Sequence, residues 1–244
     1  MPTSKPAKSR KVPTKAQPQP LPDARSVLRD LETLADPKTR ADLQPRYGIT
    51  APTALGVPMA KLQALAKRLG RDHALAASLW ATACYEARLL ATLIDDPADV
   101  TSSQMDTWAR DFDNWSITDT ACFKLFDQVP TPLALKKVDT WSTRDAPRDE
   151  FVKRAGQALL ACLALHAKDL PDDTFTSRLP LVERAATDPR NFVHKGAAWA
   201  LKAIAARNPR LKTAASAVAH RLAKSPPNSP ARWVSRDTLK LLAK

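Results

Sequence analysis

The chain has 244 residues, of which 44% are hydrophobic and only 5 are glycine. This length suits one domain or two small ones. So few glycines argue against Gly-rich nucleotide-binding loops and turn-rich all-β folds. No apolar run reaches the roughly 18 residues of a membrane span, and the 3 cysteines and 4 histidines are too scattered for a disulfide framework or a metal site. The net charge of +13 indicates a polyanionic partner.

The first 22 residues form a basic, proline-rich tail that we expect to be disordered. They carry five bases and no acid, and they lead into no apolar stretch, so they do not form a secretory signal. The unpaired cysteines indicate a reducing compartment, and we expect a cytoplasmic protein of a bacterial cell, associated with the nucleoid. Residues 23–244 are expected to form the folded domain.

From about Arg25 onward, apolar residues recur every three or four positions among many Ala, Leu, Lys and Arg residues, a pattern that predicts one helix after another. Residues 101–104, with the sequence TSSQ, predict a capping box at the start of one of these helices. No stretch shows the alternation of a strand. Breaks between helices are expected at Asp36-Pro37, Asp96-Pro97, Val129-Pro130, Asp188-Pro189 and Asn208-Pro209.

One pattern recurs along the chain, in which an aromatic residue opens an apolar helix. The copies begin at Tyr85, Trp115, Phe151, Phe192 and Trp233, with spacings of 30, 36, 41 and 41 residues. Periods near 40 built from helix pairs are typical of HEAT-like solenoids. We therefore predict an all-α HEAT-like superhelix, in which the second helix of each repeat lines a basic concave face.

The third residue after each aromatic is expected to occupy an equivalent place in this stack. Four of the five are cationic, and the set is Arg88, Thr118, Arg154, Lys195 and Arg236. A row of cations along one surface suits a phosphate backbone, although any single one could equally lie on a solvated helix face. The charge distribution supports a binding surface, since residues 120–244 carry 22 basic and 11 acidic side chains.

The copy that begins at Trp115 interrupts the row with an acid, Asp119, which lies one helical turn from Trp115 and so on the same face. Trp199 lies on the corresponding face of a later copy. An acid at this place repels phosphate but can stabilise a positive charge on a substrate; alternatively, Asp119 pairs with an arginine such as Arg154. No lysine is expected beside Asp119. The remaining tryptophans that are expected in the core are Trp80, Trp108 and Trp141.

Several segments, in order, resemble the AlkD-like DNA alkylation repair glycosylases, a family built from HEAT-like repeats. The resemblance spans about residues 47–242, with departures at Ser116, where the family often has an acid, in the short C-terminal helix, and in the added basic tail. The segments that carry it are YGI at 47–49, LGVPMAKLQALAK, LWATACYEARLLATLI, QMDTWARDFDNWSITD, FVKRAGQALL and DPRNFVHKGAAWALKAIAARNP.

This resemblance implies a monofunctional glycosylase, without cofactor or metal, that hydrolyses the N-glycosidic bond of purines alkylated at N3 or N7 in duplex DNA. The lesion is expected to stay stacked rather than flip out of the helix. Asp119 would stabilise positive charge on the sugar, flanked by Trp115 and Trp199. The residues expected to hold phosphates are Arg154, Lys195, Arg236, Arg88 and Lys153.

The expected partner is therefore double-stranded DNA with alkylated bases, bound by a monomer away from membranes. Because some relatives lack glycosylase activity, the alternative is a non-catalytic HEAT-repeat protein that binds damaged or branched DNA. A protein-binding solenoid is a third interpretation, which the excess of cations in the C-terminal half disfavours. Base release separates the first two, and salt-sensitive DNA binding separates both from the third.

Overall fold

The computed structural model describes residues 22–243, so the predicted tail lies, apart from Pro22, outside the described residues. All regular elements between residues 22 and 243 are helical, as the apolar periodicity predicts. None of these helices is long and apolar enough to cross a membrane.

Fourteen α-helices follow one another in the described range, with a π-helical turn directly after α7 and a 3-10 turn directly before α9. The bounds are α1 Ala24–Thr33, α2 Pro37–Tyr47, α3 Met59–Leu69, α4 His73–Ala81, α5 Tyr85–Ile94, α6 Ser102–Arg110, α7 Trp115–Ala121, the π turn Cys122–Phe126, α8 Thr131–Trp141, the 3-10 turn Pro147–Asp149, α9 Glu150–His166, α10 Asp172–Thr176, α11 Leu179–Ala186, α12 Asn191–Ala205, α13 Pro209–Leu222 and α14 Pro230–Leu242.

The predicted repeat register is confirmed by the way in which the helices pack. Helices α5, α7, α9, α12 and α14 each begin at one of the recurring aromatic residues or at most three residues before it. Each of these helices packs against the next, which forms one layer. A second layer packs on the first, with α4 against α5, α8 against α9, α11 against α12 and α13 against α14. The two layers together bury the apolar stripes of these helices, which neither layer could do alone.

Half of the predicted capping box is present at the start of α6. The hydroxyl of Thr101 accepts a hydrogen bond from the backbone N–H of Gln104 at 3.1 Å. The side chain of Gln104 does not reach back to Thr101, because its amide donates to the buried carboxylate of Asp95 at 2.6 Å. The glutamine therefore ties α6 to the end of α5 instead of closing the box.

Three tryptophans lie in the core, as predicted. Trp80 and Trp108 stack face to face with ring centroids 4.0 Å apart, and Trp141 is fully buried. Two of them also form hydrogen bonds: the indole N–H of Trp80 donates to Asp111, and that of Trp141 donates to Asp106. Large aromatic surfaces with satisfied N–H groups contribute strongly to such a core.

The loop between α2 and α3 is fixed by a buried acid. The carboxylate of Glu86, which is fully buried, accepts hydrogen bonds from the backbone N–H groups of Leu55, Gly56 and Val57 at 2.9, 2.7 and 3.2 Å. Gly56 has a φ of +87°, and a Cβ placed there would lie 2.7 Å from the backbone nitrogen of Arg40 and closer still to a carbonyl oxygen of the same helix cap. Glycine is therefore required at this close approach.

We expect Gly56→Ala to lower the free energy of unfolding by about 3 kcal/mol, the sum of a strained positive φ and a steric overlap with backbone atoms. Urea unfolding followed by circular dichroism measures this loss. Gly48→Ala is the matched control, because Gly48 has a left-handed φ of +63° but a Cβ added there would meet no atom within 4 Å; it should lose only about 1 kcal/mol. Equal losses in both variants would show that the close approach at Gly56 costs nothing.

Candidate functional site

Asp119 lies on α7, a short helix whose start is fixed by its cap. The side chain of Asn114, which precedes Trp115, accepts a hydrogen bond from the backbone N–H of Ile117 at 3.0 Å. The first turn is thereby set, and Trp115 and Asp119 follow one another on the same face. The Asp119 side chain is 19% exposed, so it reaches the surface rather than the packed interior.

Arg154 on α9 holds the Asp119 carboxylate in a two-pronged ion pair. Its Nε donates to Asp119 Oδ1 at 2.8 Å and its Nη2 to Oδ2 at 2.6 Å, while Nη1 donates to the backbone oxygen of Phe192 at 2.8 Å. The arginine side chain is only 9% exposed. Each of its three nitrogens thus already has an acceptor within the chain, and the pairing that the sequence left as an alternative is present. Contact between Arg154 and a phosphate stays a prediction.

The protonation of Asp119 is set by two opposing effects. Burial raises the pKa of Asp119 above the ordinary value of 3.8, and the charge and hydrogen bonds of Arg154 limit that rise. The charged form of this carboxylate therefore depends on Arg154.

Asp119 and Trp199 share one open depression of about 210 Å³, the wall of which is formed by α3, α7, the π turn and α12. Trp115 does not line it. Trp115 lies in the neighbouring cleft of about 460 Å³, and the two hollows share Met59 and Thr120. The structure thus brings the three residues predicted to be catalytic to one stretch of surface, with the two tryptophans in adjacent hollows.

Residues from the N-terminal helices also belong to this surface, and the sequence did not single them out as site residues. The indole N–H of Trp115 donates to the backbone oxygen of Tyr47 at 2.9 Å. Tyr47 and Met59 are 42% and 37% exposed, unusually high values for large apolar side chains. The motif that begins with Tyr47 was the available signal, but only contacts between distant parts of the chain show that it reaches Trp115.

The expectation that no lysine lies beside Asp119 is wrong, because Lys124 lines the same depression. Its ammonium group lies 4.9 Å from the centre of the Phe123 ring, a cation–π contact. The π-helical turn at Cys122–Phe126 explains the error: hydrogen bonds between residues five apart widen the turn, so the fifth residue after Asp119 shares its face.

The predicted row of cations is only partly free at the surface. Lys195 and Arg236 are exposed, and within residues 22–243 neither forms an ion pair. Arg88 is largely buried, lies 3.5 Å from Asp111 and stacks over Trp80. Thr118 is buried and donates to its own helix cap. The phosphate contacts predicted for these cations, and the basic concave face, stay predictions.

Lys153 lies inside the fold rather than on a surface that DNA could reach. Its side chain is 4% exposed, and its ammonium group lies 2.6 Å from Asp145 and 2.9 Å from Asp188. Burial raises the pKa of Asp188, but hydrogen bonds from Arg190 and Lys153 outweigh that effect and hold the pKa well below 3.8. Lys153 therefore fastens the loop before α9, and this arrangement disfavours the phosphate contact that the sequence predicted for it.

Residues 22–243 contain no evident metal-binding site. Among the described residues there is no group of three or more His, Cys, Asp or Glu side chains placed to hold an ion. The three cysteines are buried and unpaired.

Comparison with known proteins identifies the family. A family model described as "DNA alkylation repair enzyme" matches residues 27–242. A solved structure described as belonging to "a new family of proteins related to the HEAT-like repeat DNA glycosylases with affinity for branched DNA structures" superposes with a TM-score of 0.72 at 19% sequence identity, covering 89% of this chain and 94% of that chain. No curated protein sequence matches. The structural likeness confirms the all-α, HEAT-like fold.

Proposed function

Since the chain belongs to the DNA alkylation repair enzyme family, we propose that it is a monofunctional DNA glycosylase that releases purines alkylated at N3 or N7 from duplex DNA. The observation that carries this proposal is the position of Asp119, a largely buried carboxylate that still lines an open depression with Trp199 in a strongly basic protein. A carboxylate that lines such a surface weakens phosphate binding, so we assign it a role beyond its pair with Arg154: it stabilises a positive charge that develops on the substrate.

The chemistry of cationic purines requires few groups from the protein. Alkylation at N3 or N7 makes the base a cation, so it departs as a neutral molecule when the N-glycosidic bond breaks, and no general acid is required. The bonding electrons leave with the base, and positive charge develops on the deoxyribose in the transition state. Asp119 stabilises that charge and orients the water molecule whose oxygen then bonds to the anomeric carbon, and the proton that this water loses passes to the solvent.

Arg154 stands behind Asp119 rather than beside the substrate. Asp119 lines the depression and Arg154 does not, so the carboxylate separates the guanidinium from the sugar. The two-pronged contact fixes the orientation of both carboxylate oxygens and favours the charged form of Asp119. A positioned carboxylate needs no rearrangement as charge develops, which is the condition for efficient electrostatic catalysis.

The two tryptophans complete the surroundings of the sugar. Trp199 shares the depression with Asp119, and its indole face attracts a developing cation and excludes water. Trp115 is held by its hydrogen bond to Tyr47 in the adjoining cleft. The acid that lines that cleft, Glu86, is fully buried and accepts hydrogen bonds from three backbone N–H groups. Asp119, which lines the neighbouring depression, is therefore the acid assigned to the sugar.

The openness of the depression supports catalysis on a base that remains stacked. Its volume is only about 210 Å³, and the side chains that line it include those of Asp119, Trp199, Phe123 and Lys124. Such a surface suits the edge of a sugar–phosphate backbone rather than an enclosed, extrahelical purine. Lys124 is placed to hold an adjacent phosphate, and so supplies the cation that the row lacks at Thr118.

The direct test is release of free base from a duplex containing 7-methylguanine, with borohydride added in a parallel reaction. We expect free 7-methylguanine, and no covalent protein–DNA adduct, because the nucleophile is the water that Asp119 orients and Lys124 is assigned to a phosphate. An adduct that disappears in a Lys124→Ala variant would show that the enzyme uses an amine nucleophile and would contradict the monofunctional assignment.

A second candidate function is non-catalytic binding of branched DNA. Two observations favour it: the structural neighbour is described as having affinity for branched DNA, and both oxygens of Asp119 are already bonded to Arg154. This candidate requires that no alkylated duplex loses its base in the presence of the protein, and that a four-way junction binds more tightly than a linear duplex of equal length at the same salt concentration.

A further inference from the structure

A second basic hollow lies at the N-terminal end of α9, away from the depression at Asp119. It is a groove of about 380 Å³ between the ends of α6 and α8 and the first turn of α9. Three arginines line it, Arg110, Arg144 and Arg148, and all three are exposed, Arg148 by 92% of its side chain. None of them was expected to bind phosphate from the sequence. We call it the arginine groove.

The acids in the arginine groove do not cancel this charge. The carboxylate of Asp106 lies 2.7 Å from the buried ammonium group of Lys137 and accepts the indole N–H of Trp141 at 3.0 Å. Asp149 lies 3.9 Å from Arg148. Within the described range, Arg110 and Arg144 form no ion pair, so the groove keeps a net positive charge and at least two guanidinium groups free to bind an anion.

The loop that carries two of these arginines, residues 142–149, is held in place by other bases. Lys153 bonds to Asp145, Arg184 donates to the backbone oxygen of Ser142 at 3.3 Å, and Arg190 donates to those of Ala146 and Arg144 at 2.9 and 3.4 Å. These three bases thus hold the loop in place, and the loop presents Arg144 and Arg148 at its surface. A preorganised site loses less entropy when it binds.

The arginine groove and the depression lie on two sides of the same helix end. Val152 lines the groove, and Arg154, two residues later on α9, faces Asp119. Residues two apart point in nearly opposite directions around a helix axis, so the two hollows open on different sides of the N-terminal end of α9. DNA that crosses this helix end can contact both hollows.

We propose that the arginine groove binds the phosphate backbone of the duplex at a point flanking the nucleotide that faces Asp119. This inference rests on the proposed binding of DNA, but not on catalysis. The planar guanidinium group suits it, because its paired N–H donors match two phosphate oxygens. The arginine groove thereby extends the proposed DNA contact from α7 and α12, which line the depression at Asp119, to the ends of α6 and α8.

The test replaces Arg110, Arg144 and Arg148 by alanine and measures the affinity of the full chain for a lesion-free duplex at several salt concentrations. Each phosphate contact adds about 0.9 to the slope of log affinity against log salt, so we expect the slope to fall by 2 to 3 and the affinity at low salt to fall at least tenfold. The control replaces three exposed lysines on elements outside the groove, Lys168, Lys212 and Lys240, which removes the same net charge.

The comparison of the two triple variants decides the matter. A slope that changes equally in both shows that only overall charge matters and overturns the proposal, as does an unchanged slope in the groove variant. Because the probe carries no lesion, this result does not depend on base release. If the wild type releases no base but binds DNA in a salt-sensitive way, the glycosylase proposal is refuted, and the proposal for the arginine groove is still decided by the two variants. Circular dichroism spectra establish that each variant is folded.

Discussion

Asp119→Asn is expected to lower the rate of base release from 7-methylguanine DNA about a thousandfold while the protein still binds the duplex. A carboxylate at about 4 Å from a sugar cation contributes up to about 4 kcal/mol at an effective dielectric constant near 20, and a barrier higher by that amount slows the reaction by about three orders of magnitude. The effect falls on the rate rather than on binding, because the sugar carries its charge only in the transition state.

Single-turnover release of labelled base, with the protein in excess, measures the chemical step. The control is Asp113→Asn, which removes an equal charge from the exposed loop just before α7 and should change the rate less than threefold. The amide in the Asp119→Asn variant can still accept a hydrogen bond from Arg154, so the local structure has a replacement partner. A variant that releases base at the wild-type rate would show that Asp119 is not the catalytic group.

The sequence predicted those features of the fold that repeat. The aromatic residues that open each copy are separated by 30 to 41 positions, and the helices of the first layer begin at or near them. Local spacing also placed Trp115 and Asp119 on one face, since residues four apart always meet on a helix. These predictions succeeded because they depend on the period of the helix and on burial of apolar stripes, both of which are local properties.

The sequence did not predict which cations would be free. Arg154 and Lys153 are adjacent bases on one helix, and each is engaged by an acid from another element, Asp119 from α7 and Asp188 from the loop before α12. Their partners lie 35 residues away in the chain in each case. Lys124 reached the site for another reason, because a π turn changed the helical register. Such pairings depend on how layers stack, and the spacing of residues in one helix carries no information about them.

Arg154 is the second residue whose replacement is expected to have a large effect, because it forms the ion pair with a carboxylate that burial destabilises. Arg154→Met leaves the charged form of Asp119 without its partner, and breaking a buried pair in this way costs about 3 kcal/mol of stability at pH 7. Arg154→Lys is the matched control, since an ammonium group keeps the charge but cannot make the two-pronged contact.

The pH dependence of stability shows whether the loss in Arg154→Met comes from the charge of Asp119. Burial already holds the pKa of Asp119 above 3.8 in the folded protein, and loss of the opposite charge should raise this pKa further. A raised folded pKa means that protons bind the folded state more tightly than the unfolded one, so Arg154→Met should be least destabilised near pH 4, and its deficit should grow as the pH rises through the new pKa of Asp119.

The same rise in the pKa of Asp119 also moves the acid limb of the pH–rate profile to higher pH, because base release requires the ionised carboxylate. In a profile of kcat/KM against pH, the acid limb of Arg154→Met should lie at higher pH than that of the wild type, and that of Arg154→Lys should move less. Urea unfolding at pH 4, 5.5 and 7 gives an independent reading that needs no turnover. If the stability deficit of Arg154→Met is the same at all three pH values, Arg154 acts through packing alone, and the carboxylate at Asp119 does not depend on it for its charge.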